Sequence, residues 1–253
     1  EIYTLSLHDA LPILRLSVGI EDAEDLVAFA DGRWPVILKT PRGGYDGKGV
    51  LVVRSEDEVR TGTAAEWFGR AESPLLAEEA VDFARELSAQ VARRRSGEQR
   101  CWPVVESIQV DGVCDEVISP APNLAPDEIA TAQRIALELS EQLDVTGVMA
   151  VELFQTRDGR LLVNELAMRP HNSGHWTMDG SRTSQFEQHI RAVAGLPLGD
   201  GKRYADVVME NLIGDDLDRV PDLLRTPNTQ VHLYGKGAPR PGRKMGHVNL
   251  IRR

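Results

Sequence analysis

Cysteine is almost missing from this chain: Cys101 and Cys114 are the two among 253 residues, with no CxxC pair and no histidines at zinc-finger spacing. That excludes a disulfide scaffold and a structural zinc site, and it makes a reducing, cytoplasmic setting the expectation. Long apolar runs are missing too, since none approaches the roughly 20 residues that span a bilayer. The opening segment EIYTLSLHDALPIL has neither the basic start nor the cleavage site of a secretory signal. A soluble protein with no membrane partner is expected. Positive charge is in deficit, with 29 Lys and Arg against 39 Asp and Glu and a net charge of -10. This argues against nucleic acid gripped through its phosphates and leaves room only for a compact phosphate site. No Walker loop is present, because no Ser or Thr follows the lysine of RGGYDGKG, and the same loop lacks GxGxxG spacing after a strand.

What is present is a globular composition, 42% hydrophobic and 27% charged, sufficient for one large domain or two smaller ones. EDAEDLVAFADGRWP reads as a short helix, followed by the strand PVILKT, a loop with four glycines in nine residues, and the strand VLVVRS. Ser55 and Glu58 form a capping box that opens a helix through SEDEVRTGTAAEWFGR. PLLAEEAVDF and RELSAQVAR are expected as consecutive strands of an antiparallel meander that continues into the hairpin of CWPVVESIQVDGVCDEVISP, turning at Asp111-Gly112. APDEIATAQRIALELSEQLDV is the clearest helix. GVMAVELFQTRDGRLLVNELAMR gives two strands around Asp158-Gly159, SQFEQHIRAVAG a helix ended by Gly195, and from Leu196 a shift to Pro, Gly and Asp marks a boundary before a tail of short strands.

With a two-residue turn at Asp158-Gly159, Arg157 faces Arg160, paired numbers sum to 317, and Glu152 lies opposite Glu165. Opposed carboxylates on one face sit about 4.5–5.5 Å apart at Cβ and repel unless a cation lies between them. All-oxygen ligation selects a hard ion such as magnesium, which usually shares one or two carboxylates with substrate phosphates. The competing reading leaves both glutamates solvated or paired with Arg157 and Arg169. The glycine-rich hairpin tip can approach phosphate oxygens closely because no Cβ intervenes, with Lys48 or Lys39 supplying charge. It also reads as a mobile loop.

Taken in order, Lys39, GGYDGKG, EEAV with the following Glu86, the Glu152 and Glu165 pair, NELAMRPHNSGHWT and the terminal GRKMGH resemble the ATP-grasp superfamily. Within it they are similar to the 5-(carboxyamino)imidazole ribonucleotide synthases, from about residue 16 to the end. The resemblance implies an α+β fold, with ATP between two antiparallel sheets and a small β-rich C-terminal domain. It divides the chain into a remnant or foreign segment at 1–15, an ATP-grasp domain at 16–197 and a substrate-binding domain at 198–253. An N-terminal nucleotide-fold domain is expected to be missing. Lys39 and the loop residues Gly44, Tyr45, Asp46, Gly47, Lys48, Gly49 and Val50 would hold ATP phosphates, while Glu78, Glu79, Ala80 and Val81 would meet the adenine edge. Glu86 would bind the ribose, Glu152 and Glu165 magnesium, and Asn164 the nucleotide beside them. Without the family, EEAVDFARE reads as an acidic edge strand. Two departures stand out: Gln109 replaces a histidine common in relatives and carries no proton at neutral pH, and Ala167 stands where many ATP-grasp enzymes place an asparagine ligand.

The activity implied is attack of bicarbonate on ATP to give carboxyphosphate, whose carboxyl carbon is captured by the amine of aminoimidazole ribonucleotide. Such phosphoryl transfer asks for positioning and charge neutralisation and needs no nucleophile triad. Arg169 and His171 would serve as catalytic donors, on one face if the strand persists through Pro170. Lys236, Arg243 and Lys244, part of a basic cluster with Arg240 and His247, would bind the ribonucleotide phosphate. A homodimer is expected from the family. Rival readings are another ATP-grasp ligase, such as the formate-dependent glycinamide ribonucleotide transformylase, and a non-catalytic ATP-binding module. Ser173, Gly174 and His175 have no role at this level.

Overall fold

The structure, a computed structural model, describes residue 12, residues 16–42 and residues 49–252. Contacts divide the chain into a smaller unit, Pro12–Asp82, and a larger one running from Phe83 to Arg253.

The smaller unit contains β1 (Leu16–Ile20), α1 (Ala23–Ala30), β2 (Val36–Lys39), β3 (Val50–Val53), α2 (Glu56–Thr61), α3 (Thr63–Arg70) and β4 (Leu75–Glu79). α1 starts where the Asp22 carboxylate accepts the Asp25 N–H, and it ends at Asp31 in the left-handed region at φ 49°. The helix expected from Ser55 begins as foreseen, with Ser55 accepting from Glu58 N–H, and Glu58 returning to Arg54 N–H. It then breaks at Gly62, whose extended backbone separates α2 from α3. A Cβ at Gly62 would lie 2.8 Å from the Glu58 carbonyl oxygen, so glycine permits this tight break. β2 and β3 form the expected hairpin, Lys39 opposite Val50, within the antiparallel order β1-β4-β2-β3. Leu26, Ala30, Val36, Leu38, Val59, Leu75 and Ala77 bury the core beneath it.

The larger unit follows with β5 (Phe83–Arg93), β6 (Gln99–Cys101), β7 (Val105–Val110), β8 (Val113–Ser119), α4 (Pro126–Gln142), β9 (Gly147–Thr156) and β10 (Leu161–Ala167). Then come α5 (Thr177–Gly180), α6 (Gln185–Val193), β11 (Asp206–Ile213), α7 (Val220–Leu223), β12 (Thr229–Leu233) and β13 (Lys244–Arg252). Its antiparallel sheet has the order β10-β9-β5-β7-β8-β11-β13-β12, with β6 on β5. Pro126 opens α4, Glu128 reaches back to the Ala125 N–H, and Ala132, Ile135, Ala136 and Leu139 are buried on its inner face. α6 ends at Ala194, and Gly195 follows it at φ 72°.

Two expectations need correcting. β4 and β5 are not neighbours in a meander, because β4 pairs with β1 and β2 in one sheet while β5 pairs with β7 and β9 in the other. The β9–β10 loop has three residues, with Thr156 rather than Arg157 facing Arg160 and Gly159 at φ 84°. The strands expected from 198 onward are present and extend the larger unit's sheet: Val207–Glu210 of β11 pair with β8 and carry β13 and β12 onward from it. Backbone groups at the β8 edge find their partners there.

Candidate functional site

The β9–β10 pairing sums to 316 from Leu161 to Val163, and then a bulge at Asn164 inserts one residue. From Glu165 onward the sum is 317, so Glu165 does oppose Glu152. The expected partner is correct although the expected turn is not, because the longer loop and the bulge cancel. Across β9, Glu152 also faces Ser88, and along β5 Glu86, Ser88 and Gln90 share that face by strand alternation.

Three carboxylates meet here, Glu152 and Glu86 half-buried and Glu165 exposed. The Glu152 carboxyl is pushed up to about 7 by burial, by Glu165 and by Glu86, against the opposing charges of Lys244 and Arg169. Glu86 is raised as well, by burial first and by Glu165 second. Glu86, expected at a ribose, thus lies within electrostatic reach of Glu152 and Glu165. Ligand atoms of Glu152, Glu165 and His171 all fall within 4.8 Å of one another. His171 Nε2 is 3.5 Å from Glu152 Oε1. An all-oxygen pair that burial and mutual repulsion leave short of positive charge suits a hard divalent cation, so the residues present fit the magnesium expected.

β10 stops at Ala167, so the strand does not persist through Pro170, the condition on which Arg169 and His171 would share a face. Main-chain clamping takes over. Gln185 Oε1 accepts the His171 N–H at 2.8 Å and Gln185 Nε2 donates to the His171 carbonyl at 2.8 Å, holding the segment after Pro170 as a strand partner would. Gly174 makes room for this: a Cβ there would lie 2.4 Å or less from Gln90 and Gln185 side-chain atoms. Arg169 is exposed, donates to the Pro170 carbonyl and contributes positive charge at Glu152.

The remaining expected residues distribute as follows. In the smaller unit Lys39 Nζ lies 2.6 Å from Glu78 Oε2, an ion pair between adjacent strands, and Glu78 is buried. Glu79, Ala80 and Val81 are half-buried at the end of β4 and just beyond. Gly49, at φ 75°, accepts the Thr40 N–H and closes the β2–β3 hairpin ahead of Val50. Gly44, Tyr45, Asp46, Gly47 and Lys48 lie outside the described residues. In the larger unit Gln109 Nε2 donates to Ser107 Oγ. Lys244 starts β13, Lys236 Nζ donates to the Lys244 carbonyl at 2.9 Å and sits over the Tyr234 ring, and the Arg243 carbonyl accepts the Gly214 N–H.

Sequence reasoning missed a second polar layer on the same sheet. His175 stacks on His247 and His247 on His232, each pair with centroids 4.6 Å apart, while Tyr234 Oη lies 2.8 Å from His247 Nδ1. Burial holds His175 down at about 3 and His247 at about 4, so both imidazoles are neutral at physiological pH. Asp179 meets His232 Nε2 at 2.7 Å and Asn249 Nδ2 at 2.6 Å. The sequence carried a signal only for the Glu152 face, where Glu86, Ser88 and Gln90 alternate with Leu87, Ala89 and Val91. Neither cysteine joins the site; burial pushes Cys101 up to about 12 and Cys114 to about 11.

Comparison with known proteins fits this arrangement. A family model described as ATP-grasp domain matches residues 12–186. The chain belongs to the ATP-grasp family. A second model, described as phosphoribosylaminoimidazole carboxylase C-terminal domain, matches residues 207–253. The N5-carboxyaminoimidazole ribonucleotide synthase of Mycobacterium bovis is 52% identical over 246 residues, covering 92% of this chain and 56% of its own. The Bacillus subtilis protein of the same name is 42% identical, over 89% and 58%. The Aspergillus clavatus N5-carboxyaminoimidazole synthase, solved in complex with ADP and 5-aminoimidazole ribonucleotide, has a TM-score of 0.88 at 31% identity, covering 97% of this chain and 65% of that one. The chain thus spans a little over half the length of the curated relatives it matches. Its two antiparallel sheets with flanking helices are the ATP-grasp fold, and among the described residues no helix is long and apolar enough to cross a membrane.

Proposed function

We propose that this ATP-grasp chain carries the nucleotide and carboxylation machinery of a 5-(carboxyamino)imidazole ribonucleotide synthase. The observation that carries the reading is the convergence of Glu152, Glu165 and His171, with Arg169 and Lys244 supplying positive charge at Glu152. The names of the relatives and the ligands of the Aspergillus clavatus structure support the substrate choice. Glu152 and Glu165 would hold magnesium, which when bound supplies charge neutralisation for the triphosphate. Lys39 and the loop Gly44–Val50 are assigned to ATP phosphates, Asn164 to the nucleotide beside Glu152 and Glu165, Glu78–Val81 to adenine and Glu86 to ribose. Lys236, Arg243 and Lys244 are assigned to the ribonucleotide phosphate. Residues 16–197 then serve ATP and 198–253 the ribonucleotide, in a cytoplasmic homodimer.

In the reaction a bicarbonate oxygen attacks the γ-phosphorus and the bond to the ADP oxygen breaks. The exocyclic amine of aminoimidazole ribonucleotide then attacks the carboxyl carbon, releasing phosphate and a proton. Arg169 offers a planar fork to the carboxyphosphate anion and His171 a further donor, while the Gln185 clamp on its main chain keeps the half-buried His171 beside the carboxylates. The test is ADP release by the protein extended to the relatives' length. Turnover is expected with bicarbonate and aminoimidazole ribonucleotide; dependence on formate and glycinamide ribonucleotide would instead place the chain with the transformylases.

A further inference from the structure

Ser173 stood without a role in the sequence, and the structure supplies one. Its hydroxyl lies 2.9 Å from His171 Nδ1 and 2.8 Å from Ser88 Oγ, and its backbone N–H points at the same Nδ1 at 3.4 Å. Both serines are fully buried, Ser88 at 0% and Ser173 at 1% exposure, so no bulk water competes for these groups. A backbone N–H can only donate, and therefore Nδ1 presents its lone pair there. A proton on Nδ1 would meet that N–H head on. With Nδ1 accepting, the Ser173 hydroxyl donates to it and Ser88 donates on to Ser173. The ring proton is left on Nε2, the nitrogen 3.5 Å from Glu152 Oε1.

We infer that Ser88 and Ser173 are positioning residues that lock His171 as its Nε2–H tautomer. His171 thereby faces the reaction as a hydrogen-bond donor to anionic oxygen and is not a third metal ligand, although it lies among the ligand atoms of Glu152 and Glu165. A metal would require the Nε2 lone pair and hence a proton on Nδ1, which the serine relay opposes. The inference rests on the proposed function for the donor's purpose, and on geometry alone for the tautomer.

Nitrogen NMR of the ¹⁵N-histidine-labelled chain, well above the ordinary imidazole pKa and without divalent ions, reads the tautomer directly once His171→Gln has identified the signals. Nε2–H is expected in the parent, and mixed tautomers in Ser173→Ala and in Ser88→Ala. Nδ1–H in the parent, or no change in either variant, overturns the relay. With manganese as the probe, paramagnetic resonance should show no directly bound nitrogen; a nitrogen coupling abolished by His171→Gln also overturns it. In the extended protein Ser173→Ala should lower kcat about 5- to 10-fold, the worth of one hydrogen bond, with the KM for ATP unchanged, and Ser173→Thr should restore it. An Nε2–H tautomer in a protein that shows no bicarbonate-dependent turnover would sink the proposed function and leave the relay standing.

Discussion

In the smaller unit the carboxylate of Glu78 is buried, and Lys39 Nζ sits 2.6 Å away; in the larger unit Glu152 is nearly as secluded, yet its nearest charged company includes two more carboxylates. The first arrangement closes its charge within the protein. The second leaves an excess of negative charge that an incoming cation can satisfy, at the cost of repulsion in its absence. A chain selected for stability alone would pair both. The difference therefore locates where the fold is strained toward a ligand, and it also shows that Lys39 must be shared between Glu78 and any phosphate it serves.

The sharpest way to break the contrast is to remove the unpaired charge. Glu152→Gln in the extended protein should lower kcat for ADP release at least about 100-fold, the scale of losing a preorganised electrostatic partner, while the chain still folds. Equal activity would mean that the carboxylate pair is not the metal site. The reverse operation creates an unpaired charge in the other unit: Lys39→Met should cost about 3 kcal/mol by urea unfolding, because it strands a buried carboxylate. Adding Glu78→Leu to it should recover most of that loss, and failure to recover would show that the pair is not what holds β2 to β4.

A third experiment reads the contrast through pH. Glu152 is raised to about 7 in the fold, above the roughly 4.3 of an unfolded glutamate. Between those values the native state holds the proton more tightly, so metal-free stability is greatest below the unfolded value and declines as pH rises through the folded one. Thermal melts from pH 5 to 8 without divalent ions should fall by about 1–3 kcal/mol in stability, and Glu152→Gln should flatten the slope. Magnesium should act in the opposite sense, restoring stability most at the alkaline end. The smallest effect expected belongs to the smaller unit's local structure, where Ser55→Ala removes the cap of α2 and costs about 1 kcal/mol, detectable as a shift in the urea midpoint.

Local signals proved legible wherever the cause is local. The capping box at Ser55, the hairpin turn at Asp111-Gly112 and the stripe of α4 each depend on residues within one or two turns of chain. The partners of a strand are not written in that range: EEAVDFARELSAQ passes from one sheet to another around residues 80–82 without an interruption in its pattern. The site divides similarly. Glu152, Glu165, Arg169 and His171 were visible as residue types, but the Gln185 clamp and the Ser88–Ser173 relay join positions 14 and 85 residues apart, and no periodicity reports such pairings.

The bulge at Asn164 has a consequence for how this hairpin tolerates change in length. Val163 pairs with Leu153 and Glu165 with Glu152 on either side of it, so Asn164 is a spare residue between the turn and the carboxylate pair. Losing Asn164 itself, or any one residue from Leu161 to Val163, can be absorbed by closing the bulge and leaves Glu165 opposite Glu152. A second loss has no spare to draw on; it slips the strand by one and turns Glu165 to the opposite face.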